Sequence, residues 1–230
     1  MVGFFKIKFV FILFYCFVHF LIAQNQVVLP EFKLLPGDLL FQDLDCGPLC
    51  NAIESVTKGY NNYNFSHVGI VMEAKNDNAV IVEAYGEKVI MSQFLDFIIR
   101  SRDSTGKPKV VVGRLKPEYQ HLVPFAVLYA KAKIDKNYDS FFNITNDSYY
   151  CSELIYEVFR ESNNYTPLFD LQPMDYNDPA TNQIAPAWKE YFEKLKAKIP
   201  QDKLGINPGG ISLSPLIEIV YKYGEPSKKK

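Results

Sequence analysis

Apolar positions along this chain fall into two rhythms. Short continuous runs bounded by turn residues occupy 39–41, 67–72, 79–85 and 109–115, and each predicts a buried strand. Longer stretches repeat their apolar residues at helical spacing. Residues 118–135 place Leu122, Phe125, Ala126, Tyr129 and Ala130 on one predicted inner face. A second such stretch begins near Cys151 and runs to about residue 161, with Leu154, Ile155, Val158 and Phe159 on its apolar side. Residues 91–100 and 187–199 also read as helices. Residues 46–53 read as a loop entering a helix, with Pro48 in its first turn. The segment 162–186 is rich in Asn, Asp and Pro and reads as irregular, 205–210 as a loop, and 214–223 as a last short element. No internal repeat or second domain boundary interrupts the pattern. Strands and helices in this mixture predict one α+β domain.

The polar residues that break these rhythms carry the chemistry. Residues 67–72 and 79–85, joined by the polar turn Glu73 to Asn78, predict an antiparallel hairpin. Glu83 stands among Val80, Ile81, Val82 and Ala84, where a lone carboxylate needs a partner or water. A turn centred on Lys75 sets His67 opposite Glu83, so both project to one face and the carboxylate can accept a hydrogen bond from the imidazole. A register one residue away turns Glu83 to the other face.

Asp147 and Ser148 are good N-caps for the helix that carries Cys151 in its first turn. Free N–H groups and the positive dipole end at such a start favour a thiolate. A buried core cysteine is the plain alternative. Cys151, His67 and Glu83 together supply a nucleophile, a base and a group that orients the base.

Composition supports a globular chain: 230 residues, 48% hydrophobic and 22% charged, enough for one sizeable core. The first residues change the picture more. Lys6 and Lys8 precede an apolar run, Phe9 to Ile22, and Leu21-Ile22-Ala23 before Gln24 resembles a cleavage site. The expectation is a signal peptide over 1–23 and a single domain over 24–230, exported to a periplasmic or extracellular place in the cell envelope; a retained anchor is the competing reading. The formal charge of −1 becomes two units more negative on cleavage, and nothing points to nucleic acid. The lysines Lys228, Lys229 and Lys230 read as a solvated terminus.

Cleavage leaves three cysteines, Cys46, Cys50 and Cys151, and two histidines, His67 and His121. Cys46 and Cys50 can form a local disulfide or stay reduced; no further ligands complete a metal site beside them. His121 reads as a surface residue.

Five stretches then occur in a telling order: Gly37-Asp38-Leu39-Leu40-Phe41, Ser66-His67-Val68-Gly69-Ile70-Val71, Val82-Glu83-Ala84, Tyr138-Asp139, and Tyr149-Tyr150-Cys151-Ser152-Glu153-Leu154-Ile155-Tyr156. Over roughly residues 34–160 the chain resembles the YiiX/YaeF-like permuted papain-like cysteine hydrolases of the NlpC-like superfamily. The histidine strand precedes the cysteine helix, as the permuted branch requires. The resemblance implies a circularly permuted papain-like fold, an antiparallel sheet packed against helices. It implies Cys151 as nucleophile, His67 as general base and Glu83 as its orienting partner, with the Cys151 backbone N–H as oxyanion donor. Tyr150 and Ser152 are expected to shape the site. Asp38 and Tyr138 are candidates for positioning substrate, with turn formation and core packing as equal alternatives. No metal or organic cofactor is required. The expected partner is a small peptide or acyl-amide substrate, from the cell wall or a membrane lipid; the sequence leaves the oligomeric state open. A non-catalytic envelope or lipid-binding module on the same fold is the alternative function. A small disulfide-stapled structural protein fits poorly with three mature cysteines.

Overall fold

Six strands form the central sheet. They are β1 (Leu39–Gln42), β2 (His67–Lys75), β3 (Asn78–Tyr85), β4 (Lys88–Gln93), β5 (Val110–Leu115) and β10 (Ile217–Lys222), ordered β10-β5-β1-β2-β3-β4 with every neighbour antiparallel. The computed structural model describes residues 32–75 and 78–228, and the chain from Phe32 onward forms one compact unit. The signal-peptide expectation over 1–23, residues 76–77 and Lys229 and Lys230 lie outside the described residues.

The middle of the sheet is buried on both faces, which is why β1, the first half of β2 and β5 read as continuous apolar runs. Leu39, Phe41, Val68, Ile70, Val82 and Val111 share one core with the helices α3 (Val123–Ala132) and α4 (Cys151–Ser162). From α4 come Leu154, Ile155, Val158 and Phe159, the residues its periodicity assigned to an inner face. Its end is marked by Asn164 and Tyr165, both with positive φ (52° and 61°).

The other helices are α1 (Pro48–Val56), α2 (Phe94–Ile98), α5 (Pro186–Lys194) and α6 (Pro208–Ser212). A second, aromatic core joins α1 to α5, with Ala52, Tyr176, Trp188 and Phe192 at its centre. Cys46 and Cys50 are disulfide-bonded across the entry to α1.

Several expected elements are redrawn. Residues 91–100 are not one helix: β4 continues to Gln93, and only Phe94–Ile98 is helical. Pairing with β3 claims the first part, overriding a local pattern that served either state. The 118–135 stretch is divided into a 3-10 segment, Pro117–Leu122, and α3, because Pro124 suits only a first turn. Ala126 and Ala130 point inward as expected, whereas Phe125 is exposed. Helix α5 stops at Lys194, just before Lys196 adopts a positive φ of 54°. The irregular segment 162–186 carries three two-residue strands, β6 (Gln172–Pro173), β7 (Asn177–Asp178) and β8 (Gln183–Ile184). The expected loop at 205–210 holds the end of β9 (Leu204–Gly205), which pairs with β6, and the start of α6, capped by Asn207 Oδ1 accepting from Gly210 N–H at 2.7 Å.

The β2–β3 hairpin also differs from the expected register. Lys75 pairs with Asn78, so the turn is centred beyond Lys75. Continued without a break, that register would set Glu83 opposite Ile70, on the wrong face for His67. A β-bulge between Val71 and Glu73 inserts one extra residue, and beyond it Ile70 pairs with Val82. Glu83 then lies beside Gly69, two residues along from His67 on the same face. The two side chains meet diagonally across the strands rather than directly opposite.

Candidate active site

Cys151 is the first residue of α4, and it is buried. The N-cap is Tyr150, not Asp147 or Ser148. Asp147 pairs with Lys136, and Ser148 N–H donates to Asn146 Oδ1 at 2.7 Å. Glu153, three residues past the cap, accepts the Tyr150 N–H at 3.1 Å and so holds the turn that presents the thiol. Cys151 Sγ lies 4.0 Å from the carbonyl oxygen of Ser66, the residue before His67. The start of β2 and the start of α4 thus meet at the sulfur. An N–H in the first turn has no acceptor within its own helix, so the Cys151 backbone is a ready oxyanion donor.

His67 Nε2–H donates to Glu83 Oε2 at 2.6 Å, which leaves Nδ1 for the thiol. Burial acts to lower the His67 pKa, but hydrogen bonding and charge interactions with Cys151 and Glu83 outweigh it and raise the value from 6.5 to about 9. Tyr85 and Phe97 flank the ring, each with its centroid 5.7 Å away. Gly69 leaves the space that Phe97 and Ile81 need: a Cβ there would sit 2.6 Å from Ile81 Cγ2 and 3.0 Å from Phe97 Cε2.

Glu83 is fully buried, and it has more partners than sequence reasoning found. Arg100 Nη1 donates to Oε2 and Nη2 to Oε1, both at 2.6 Å, and Ser92 Oγ donates to Oε1 at 2.5 Å. Burial alone would raise the Glu83 pKa; His67 and Arg100 instead bring it from 4.5 down to about 2. Ser92 left no signal in the sequence, since residues 91–100 read as a helix and its burial follows only from the pairing of β4 with β3. Arg100 left none, because its approach depends on the short α2 turn.

Beside Cys151 opens a cleft continuous with solvent. Tyr138, Tyr150 and Ser152 all line it, together with Ile53, Phe142, Met174 and Trp188. Tyr150 and Ser152 clamp one wall: Ile206 N–H donates to Tyr150 Oη at 3.1 Å, and Ser152 Oγ donates to the Ile206 carbonyl at 2.9 Å. Burial pushes the Tyr138 phenol well up, with Cys151 the next contributor, so it stays a neutral hydroxyl. Asp175 is the one charged side chain among the described residues lining this cleft.

Asp38 does not belong to the site. Its carboxylate accepts from Arg114 Nε at 2.7 Å and Nη2 at 2.8 Å and from Leu35 N–H at 2.8 Å, so it fastens the turn into β1. His121 is exposed, and its Nδ1–H donates to the Glu118 carbonyl at 2.9 Å.

Two further buried acids, Glu54 and Glu153, have their pKa values shifted by their surroundings. Burial, opposed by a hydrogen bond from Ser66, raises Glu54 from 4.5 to about 7; burial, opposed by the Tyr150 N–H, raises Glu153 from 4.5 to about 9. Both bind protons more tightly when folded, as His67 does. Their stabilising contributions are complete below their unfolded values and are lost as pH rises through the folded ones. Glu83 has the opposite sign, its contribution intact above 4.5 and lost as pH falls toward 2. The melting temperature is therefore expected to peak near pH 5 and fall toward pH 9, and Glu54→Gln to flatten the decline between about pH 4.5 and 7. Thermal scans across this range test it; a melting temperature that climbs from pH 5 to 7 would contradict it.

Known proteins resemble this chain over most of its length. The family described as permuted papain-like amidase enzyme, YaeF/YiiX, C92 family, matches residues 33–221. The uncharacterized protein YiiX of Escherichia coli K12 is 25% identical over 204 residues, covering 88% of this chain and 94% of its own. A crystal structure of YiiX from Escherichia coli O157:H7 is 25% identical with a TM-score of 0.65, covering 85% of this chain and all of the other. That structure is titled a metalloprotein. Among the described residues of this chain, no group of three or more His, Cys, Asp or Glu side chains is placed to hold a metal ion. The matched span takes in the central sheet, the hairpin and the cysteine helix, and on that basis the chain belongs to the permuted papain-like amidase family and is a cysteine hydrolase of the amidase or peptidase type.

Proposed function

We propose that this protein is an exported amidase that hydrolyses a neutral N-acyl amide through a thioester on Cys151. The observation that carries the reading is the juxtaposition of Cys151 with a cleft that is mainly apolar, rich in aromatic residues and lined by some neutral polar ones, whose one charged lining group among the described residues is an acid. Such walls favour an acyl chain, and Asp175 disfavours peptide stems bearing free carboxylates. Export is supported by the pattern of the first 23 residues and, independently, by the Cys46–Cys50 disulfide, which suits an oxidising compartment.

In this mechanism His67 Nδ1 takes the thiol proton and the sulfur attacks the amide carbon. Backbone N–H groups at the start of α4 receive the oxyanion. His67 then returns the proton to the leaving amine. Water, activated by the same imidazole, adds to the thioester and releases the carboxylic acid, restoring the thiol. Glu83 keeps the imidazole in the tautomer that needs Nδ1 free.

The test is amine release from N-acyl amides of graded chain length, set beside cell-wall stem peptides, using the mature chain. Turnover should rise with apolar chain length and be weak on the peptides. Preference for the peptides would replace the acyl-amide reading. A second measurement guards the catalytic claim: alkylation of Cys151 by iodoacetamide at neutral pH should slow markedly in a folded His67→Ala variant. Indifference to that change, with no turnover on either substrate class, would favour a binding module.

A further inference from the structure

We propose that Arg100 is a positioning residue for the hydrolytic reaction, clamping both oxygens of Glu83 and thereby fixing where the His67 imidazole points and how firmly it holds its proton. The inference rests on His67 acting as the base.

The geometry is that of a closed fork. Both Arg100 terminal nitrogens reach Glu83 at 2.6 Å, one to each oxygen, and Ser92 Oγ takes a further position on Oε1. Arg100 Nη2 also lies 3.2 Å from Ser92 Oγ, so the clamp is cross-braced. The guanidinium itself is seated: its central carbon stands 3.9 Å from the centroid of the Tyr85 ring, and its side chain is 16% exposed. Tyr85 also meets the edge of His67. One planar cation therefore braces the carboxylate and one of the rings that flank the imidazole.

The charge balance explains why a cation is needed. Glu83 is fully buried, and an unpaired carboxylate there would be costly. When His67 is neutral, as a base must be, the imidazole offers no countercharge. Arg100 offers a permanent one, so Glu83 stays an anion in both protonation states of its partner. Among the described residues, the titratable and charged groups facing His67 are Glu83 and Tyr85 of β3 and Cys151 of α4, with Arg100 beyond α2 reaching it through Glu83. Removing the Arg100 charge leaves the imidazolium as the sole cation facing Glu83 among the described residues, which strengthens its hold on the proton.

The experiment is an NMR pH titration of the His67 ring in the mature protein, assigned against His67→Ala, with the low-field Nε2–H signal followed in parallel. In Arg100→Gln the His67 midpoint should move up by about one pH unit, and the Nε2–H signal should broaden as Glu83 gains freedom. Arg100→Lys restores the charge but not the fork. Its midpoint should return toward the native value while the Nε2–H signal stays broadened. A folded Arg100→Gln with an unmoved or lowered midpoint would overturn the proposal. Should Arg100→Gln not fold, Arg100→Lys decides: a native midpoint with a native Nε2–H signal would overturn it. The readout needs no substrate. If iodoacetamide alkylation of native Cys151 is indifferent to His67→Ala, the base reading fails on its own, whatever the titration shows about the clamp.

Discussion

Cys151→Ala is expected to remove amide hydrolysis almost entirely, by on the order of 10⁵–10⁶-fold, the scale on which loss of a covalent nucleophile acts. The fold should survive. The turn bearing Cys151 is held by Glu153 on the Tyr150 N–H and by the Tyr150–Ser152 clamp on Ile206, none of which uses the sulfur. What remains should be the modest effect of the cleft and the oxyanion donors. Turnover and circular dichroism on the same sample measure both statements. Activity within tenfold of native in the alanine variant would remove Cys151 from the chemistry and leave the acid–base groups to be explained differently.

Glu83→Ala is expected to damage both stability and rate. Truncation leaves Arg100 without its carboxylate and His67 Nε2–H without its acceptor, around a position that is itself fully buried. Breaking a buried pair from one side costs about 3–5 kcal/mol. Hydrolysis should fall by on the order of 10³–10⁴-fold when measured below the melting temperature, because the imidazole loses the partner that sets its tautomer. Glu83→Gln separates the two effects. It keeps the volume and most of the hydrogen bonds, so it should recover part of the stability while the rate stays low. Chemical unfolding and steady-state turnover on the two variants distinguish these outcomes. Full activity in Glu83→Gln would show that the carboxylate charge plays no part in the reaction.

How much of this was legible in the sequence depended on how local the determining contacts are. The helix after Cys151 was legible because Leu154, Ile155, Val158 and Phe159 repeat at its own period. Its cap was misplaced by two to three residues, because Asp147 and Ser148 are good caps in isolation and the structure uses them elsewhere. His67 and Glu83 were recognisable from an acid in an apolar strand, but their pairing was expected from an unbroken register. The bulge between Val71 and Glu73 has no composition that announces it. Asp38 shows the opposite limit: a buried acid at the start of a strand looks functional until its partner Arg114, far along the chain, is seen. Arg100 and the Ile206 wall depend on how distant segments meet, which spacing alone does not record.

The disulfide at the entry to α1 bears on how any assay of this protein is run. Helix α1 supplies Ile53 and Val56 to the wall of the cleft. Cys46 and Cys50 brace the entry and first turn of that same helix. The reducing agents customarily added to keep a cysteine enzyme alive would regenerate Cys151 and, at higher dose, unfasten that wall. Reductant is thus a two-sided variable for this protein, and the buffer that best protects the nucleophile need not be the one that best preserves the shape of its substrate site.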